Sequence, residues 1–165
     1  MSTPASGLLL RNLVSADWPA VERIYADGIA SRMATFETRT PRWEDWDAGH
    51  LAEPRLVAEA DAAMLGWAAL SPVSRRAAYR GVAEVSVYVA NSARRRGVGR
   101  ALLSALMSRA DAMGLWTLQA TIFAENAPSI RLHEAAGFRF VGRRERIAQL
   151  DGRWRDTVLY ERRTP

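Results

Sequence analysis

The 165-residue sequence has no cysteine, and every one of its 23 Lys/Arg-type residues is arginine, so lysine is missing as well. Without cysteine there are no disulfides, no thiolate metal sites and no cysteinyl acyl intermediate. Without lysine there is no Schiff base and no P-loop phosphate lysine, which sets aside lysine-based aldolases and P-loop ATPases. The histidines are only His50 and His133, too few for a histidine-built metal centre, and metal-free chemistry is expected. Long apolar runs are absent too. No stretch approaches the ~18–20 residues that span a bilayer, and MSTPASGLLLRNL lacks a basic start followed by an adequate apolar segment. The chain therefore reads as cytoplasmic, with no membrane partner. Repeats, low-complexity tracts and Gly/Ser or Pro-rich linkers are likewise missing, and one domain over residues 1–165 is expected.

What is present is ordinary for a globular chain: 48% hydrophobic and 25% charged residues. The net charge of +5 suits an acidic partner, a nucleic acid or a phosphorylated cofactor, although arginine usage can also follow the base composition of the source genome. The arginines are scattered and not interleaved with aromatics, so a non-enzymatic nucleic-acid binder is the weaker reading and no nucleic-acid partner is expected.

Periodicity changes often. Residues 8–14 read as a strand, and Asp17 caps a helix with Pro19 in its first turn and Val21, Ile24, Tyr25 and Ile29 on one face. Thr40-Pro41 starts a short helix with Trp43 and Trp46, ended by Pro54. Residues 55–60 and 63–72 form a hairpin around Asp61-Ala62. The clearest strand is VAEVSVYVA, residues 82–90, with Val85, Val87 and Val89 on one face and Glu84, Ser86 and Tyr88 on the other. Leu102, Leu103, Leu106, Met107, Ala110 and Met113 recur at helical spacing, with Gly114 as the C-terminal cap. LWTLQATIF returns to strand, PSIRLHEAA is a short helix stopped by Gly137, and residues 138–147 and 153–162 pair antiparallel. The class is α+β, or mixed α/β, with a sheet covered on both faces.

Between the best strand and the best helix lies Arg94-Arg95-Arg96-Gly97-Val98-Gly99-Arg100. Unpaired amides and the dipole of a helix N-terminus attract anions, glycine lets backbone approach a ligand, and arginines add charge-assisted hydrogen bonds. The stretch is suited to cradling a pyrophosphate. It is neither a dinucleotide G-x-G-x-x-G nor, lacking lysine, a P-loop.

The pattern R-x-x-G-x-G resembles the coenzyme A pyrophosphate motif of the GNAT superfamily of N-acetyltransferases, and the resemblance extends over nearly the whole chain. Residues 126–138, NAPSIRLHEAAGF, resemble the later GNAT segment in which an asparagine meets the cofactor and a helix ends in Gly-Phe. ATFE (34–37), LVAE (56–59), AYRG with AEVSVYV (78–89), SIRLHEAAGF (129–138) and GRWRD (152–156) resemble, in the same order, the phosphinothricin and methionine sulfoximine acetyltransferases. Two departures stand out: Arg94-Arg95-Arg96-Gly97 where that subgroup has Arg-Gly-Lys-Gly, and Leu150-Asp151 where it has an aromatic-glycine pair.

The resemblance implies a GNAT-type mixed, largely antiparallel sheet with helices on both faces. It also implies acetyl-CoA as co-substrate and direct transfer to the α-amine of a small amino-acid analogue, with a homodimer as the expected assembly. Acceptors of a second kind, a protein N-terminus or a polyamine, remain open. Glu84, on the polar face of its strand, corresponds to the subgroup's catalytic glutamate and takes the amine proton; the alternative is a salt bridge to an arginine. His133 stands where many GNAT enzymes place a tyrosine, either as a hydrogen-bond donor or, protonated, as an acid. Cofactor contacts are expected from Val87, Tyr88 and Val89 through the backbone, from residues 94–100 (Arg94, Arg95, Arg96, Gly97, Val98, Gly99, Arg100), and from Asn126 and Ser129. For Asn126 the alternative is a helix cap. Phe36, Arg75, Arg76 and Tyr79 are the substrate candidates, since arginine matches a carboxylate and aromatics wall a side chain; for Arg75 and Arg76 the alternative is a solvated charge run. Trp154 packs across a dimer interface or fills the core.

Overall fold

The computed structural model describes residues 7–165. Strand β1 (Leu9–Asn12) leads through a 3₁₀ turn (Ser15–Asp17) into α1 (Trp18–Ala30), then α2 (Trp43–Ala48), β2 (Arg55–Ala60) and β3 (Ala63–Pro72). Then come β4 (Val82–Val89), α3 (Val98–Ala112), β5 (Thr117–Phe123), α4 (Ala127–Ala135), β6 (Arg139–Leu150) and β7 (Arg153–Arg163). Among the described residues the seven strands make one sheet in the order β1-β2-β3-β4-β5-β7-β6. Every neighbouring pair is antiparallel except β4 with β5. This is the mixed, largely antiparallel sheet that the sequence implies.

Alternation along the central strands divides the core in two. Leu56, Ala58, Ala68, Leu70, Ala83 and Val85 pack with Leu102, Leu103, Leu106 and Ala110 of α3 on one face. Val57, Trp67 and Ala69 pack with Val21 and Ile24 of α1 and Trp46 of α2 on the other. The β2–β3 hairpin turns on Asp61 and Ala62, both at positive φ (51° and 62°), which matches the twist of the two strands.

The elements depart from the sequence reading in four places. β1 is shorter than residues 8–14. Asp17 does not cap α1 with its side chain. Its carboxylate accepts from the Val14 amide at 2.8 Å and pairs with Arg11 at 2.8 Å, so the local competitor is the preceding turn and an ion pair. α2 starts at Trp43 and not at Thr40-Pro41, because the Thr40 hydroxyl donates to Glu22 at 2.8 Å and holds that stretch extended against α1. Met113 continues the apolar spacing of α3 but follows its last turn and is exposed.

Candidate active site

β4 and β5 are in register only through Val82–Thr117, Ala83–Leu118 and Glu84–Gln119. Beyond Glu84 the two strands part, while β4 stays paired to β3 as far as Val89. The Ala90 amide donates to the Leu65 carbonyl at 2.8 Å. By the two-residue alternation of an antiparallel ladder, the amides of Tyr88 and Ser86 also face β3, and those of Val85, Val87 and Val89 face the gap. A cavity of about 990 Å³ occupies that gap, a size common for small-molecule sites.

At one end of the cavity is the start of α3. Arg94, Arg95, Gly97, Val98, Gly99 and Arg100 line it; Arg96 points elsewhere and is exposed. Gly97 is the N-cap residue and sits at φ +77°, in the left-handed region. No side chain caps this helix, so its first amides keep their donors free. A Cβ at Gly99 would lie 3.4 Å from Val89 Cγ2 and 3.5 Å from Leu132 Cδ2, which shows how closely the helix start seats between β4 and α4. Free amides, a helix dipole and three cavity-lining guanidinium groups make this end a site for a diphosphate.

At the other end the walls are carboxylate and aromatic. Glu84 is half-buried, lines the cavity, and makes no hydrogen bond or ion pair with another side chain among the described residues. Tyr88 stacks on Trp67 at 4.8 Å, and its hydroxyl is held above the usual phenol range by burial. Phe36 meets Phe123 edge-on at 4.8 Å.

His133 is 5% exposed. Its Nδ1–H donates to the Ser129 carbonyl at 2.7 Å, a partner that can only accept, so the other nitrogen, Nε2, carries the lone pair of the neutral ring. Nε2 is buried without a partner. Burial pushes the imidazole below the ordinary histidine range, against the opposing pull of the Ser129 hydrogen bond. In this tautomer Nε2 has a lone pair and no proton to donate, so of the two roles open from the sequence, donation from Nε2 requires the protonated ring. Ser129 itself lines the cavity with its hydroxyl 3.5 Å from His133 Nδ1.

Asn126 is a lining residue whose amide is partly committed within the protein. Its Oδ1 accepts from the Ser129 amide at 3.2 Å, the helix-cap alternative, and its Nδ2 donates to the Met33 carbonyl at 2.9 Å. One Oδ1 lone pair and one Nδ2–H remain for a ligand. Arg155 holds the same segment, donating to the Arg32 carbonyl at 2.9 Å while lying over the Phe123 ring at 4.1 Å.

Three of the sequence candidates stand apart from these. Arg75, Arg76 and Tyr79 are exposed on the connection between β3 and β4, with the Arg76 guanidinium 5.8 Å from the Tyr79 ring, and none lines the cavity of a single chain. Trp154 is 56% exposed, which removes the core-filling alternative. Conversely, Trp46, His50, Ser71, Thr121, Phe123 and Thr157 line the cavity without having been singled out from the sequence. Ser71 and Thr157 are placed there by register, Ser71 opposite Glu84 and Thr157 opposite Phe123, which no local sequence pattern announces. Among the described residues no cluster of acidic or histidine side chains is suited to a metal ion, and no helix is long and apolar enough to cross a membrane.

Residues 10–138 match the model of the acetyltransferase (GNAT) family. The chain is 36% identical over 160 residues to the L-methionine sulfoximine/L-methionine sulfone acetyltransferase of Pseudomonas aeruginosa strain PAO1, covering 92% of each protein. It superposes with a TM-score of 0.86 on a GNAT superfamily phosphinothricin acetyltransferase from Sinorhizobium meliloti in complex with AcCoA, at 32% identity, covering 95% of this chain and 88% of that one. A ribosomal-protein-alanine N-acetyltransferase from Brucella melitensis superposes with a TM-score of 0.87 at 33% identity, covering 94% of this chain and 99% of that one.

Proposed function

The chain belongs to the acetyltransferase (GNAT) family, and from that premise we propose that it moves the acetyl group of acetyl-CoA to the α-amine of a small amino acid or analogue. The acceptor class is that of phosphinothricin, methionine sulfoximine and methionine sulfone, transfer is direct within a ternary complex, and the whole chain acts as one domain. The observation that carries this reading is the parting of β4 from β5 just beyond Glu84, with the α3 N-terminus and an aromatic-walled pocket opening on the same cavity.

The residues present fit acetyl-CoA: the left-handed Gly97 and the uncapped first turn of α3 form a cradle for a diphosphate, with Arg94, Arg95 and Arg100 around it. The Val87 and Val89 amides offer a pantetheine arm the hydrogen bonds that β5 no longer supplies, and Asn126 adds one acceptor lone pair and one Nδ2–H. When bound, acetyl-CoA supplies an acyl group activated as a thioester. Glu84 receives the proton that an ammonium group must lose before its nitrogen can attack, and the absence of a competing ion pair leaves its oxygens available. His133 Nε2 accepts a hydrogen bond beside it. Arg75 and Arg76, on the connection that enters β4 two residues before Glu84, are kept as partners for the acceptor carboxylate, with Tyr79 beside them and Phe36 walling its side chain.

The exposed apolar residues of the β6–β7 hairpin, Phe140, Val141, Ile147 and Trp154, form the face expected to meet a second copy in a homodimer. Sedimentation equilibrium should give twice the chain mass, and Trp154→Asp should shift the distribution toward monomer.

The decisive test of function is release of free CoA thiol from acetyl-CoA over a panel of acceptors. The panel holds methionine sulfoximine, methionine sulfone, phosphinothricin, ordinary amino acids and a peptide beginning with alanine. Turnover with the first three carries the reading. Turnover with the peptide alone transfers it to a protein N-terminus, and no turnover overturns it.

A further inference from the structure

Among the described residues the buried side-chain polar atoms that lack a partner are Trp46 Nε1, Trp67 Nε1, His133 Nε2 and Thr157 Oγ1. The two indoles belong to the aromatic cluster around Tyr25 and Tyr88, and His133 already belongs to the site. Thr157 belongs to neither. It is 3% exposed, lines the cavity, and presents a hydroxyl with nothing in the protein to bond. A buried hydroxyl left unpaired is disfavoured relative to an isosteric methyl, so a threonine here is served by a partner from the cavity it lines, an ordered water or a group of a bound molecule that displaces it.

Register says which molecule. Thr157 of β7 stands opposite Phe123 of β5. Glu84 of β4 stands beside Gln119, and alternation along β5 puts Thr121 and Phe123 on the face of Gln119. Glu84 and Thr157 therefore look out from the same face of the sheet, separated along β5 by four residues, about 13 Å at the usual rise. Between them on that face of β5 is Thr121, and at the Thr157 end the wall is Phe123, covered edge-on by Phe36 at 4.8 Å. The nearby Arg155 is occupied by the Arg32 carbonyl, Met33 sulfur and Glu125. An acceptor whose amine lies at Glu84 thus runs its side chain along an aromatic wall and ends at a neutral hydroxyl.

We infer that Thr157 is a specificity-determining residue, donating its O–H to an oxygen carried on tetrahedral sulfur or phosphorus at the end of the acceptor's side chain. The inference rests on the amino-acid acceptor reading above. A thioether or hydrocarbon end leaves the hydroxyl unpaired, and the site then discriminates against it.

The test compares the wild type, Thr157→Val and Thr157→Ser with methionine sulfone and methionine as acceptors. It is run with KM for acetyl-CoA and with melting of the ligand-free proteins. The wild type should prefer the sulfone, and Thr157→Val should lower the sulfone-to-methionine ratio of kcat/KM by about tenfold or more, whereas Thr157→Ser should keep most of it. KM for acetyl-CoA should not move, and ligand-free Thr157→Val should melt no lower than wild type, since it fills the same volume without an orphan hydroxyl. An unchanged ratio, a raised KM for acetyl-CoA, or a lower melting point for Thr157→Val overturns the inference by giving the hydroxyl to no ligand, to the cofactor or to the fold. A wild type that acetylates amino acids without preferring the sulfone removes the Thr157 inference alone. One that acetylates no amino acid removes the acceptor reading with it.

Discussion

In a chain this rich in arginine, a half-buried carboxylate with neither an ion pair nor a hydrogen bond to a side chain is informative. Asp17 is taken by Arg11, Asp111 by Arg162 and Asp156 by Arg143, each at hydrogen-bond distance. Those partners hold Asp17 and Asp111 below the ordinary carboxylate range. Glu84 has none, although it is half-buried on the sheet. In the proposed role, that isolation leaves its oxygens free to face the acceptor amine. Glu84→Gln keeps the shape and removes the proposed base. Steady-state turnover should fall by about 10²–10⁴-fold, while the acetyl-CoA dissociation constant, measured by titration calorimetry, stays near the wild-type value. Equal loss of turnover and affinity would make Glu84 a structural residue.

At the scale of elements, the site depends on two junctions: the place where β4 leaves β5 and the place where the chain enters α3. At the second, Gly97 adopts φ +77° and a side chain is opposed by about 1–2 kcal/mol, more for a β-branched one. Gly97→Val should therefore tilt the first turn of α3 and raise KM for acetyl-CoA by about tenfold or more, with a smaller change in kcat at saturation. A change confined to kcat would remove the turn from cofactor binding. Only the second junction was legible in the sequence, because it is local; the faces of β4 were legible too, but not the point at which β5 leaves it. The valine alternation of β4 fixes its faces, and the Arg/Gly run next to an apolar heptad-like stripe fixes a helix start. The rest depended on distant partners. Asn126 reads as a cavity residue from sequence, but its bond to the Met33 carbonyl could not be read there, and Thr157 becomes a cavity residue only because the last strand in the chain inserts between β5 and β6. No periodicity encodes that insertion. Arg75 and Arg76 belong to a connection without regular alternation, so their residue types were readable but not the direction in which they point.

For the whole molecule, the acidic side of its stability is set by its only two histidines, both placed in the cavity wall. Burial pushes His133 and His50 below the ordinary value of 6.5; for His50 the Trp46 carbonyl opposes that push and the neighbouring Arg55 guanidinium reinforces it. Each histidine is therefore neutral in the folded protein at a pH where the unfolded chain has begun to protonate. As pH falls below 6.5 the unfolded state binds more protons than the folded state, so stability declines until the lowered folded values are reached. The added positive charge falls on a chain that already carries +5, which opposes compaction further. A second decline begins below the ordinary aspartate value of 3.8, where Asp17 and Asp111 lose the ion pairs that Arg11 and Arg162 provide. Melting temperatures should hold level from pH 8 to 7 and fall as pH drops from 6.5 toward 5, and His133→Gln should flatten part of that fall by removing one of the two groups. A melting temperature that stayed level to pH 5 would mean the imidazoles protonate in place, with water reaching Nε2 of His133 in the folded state.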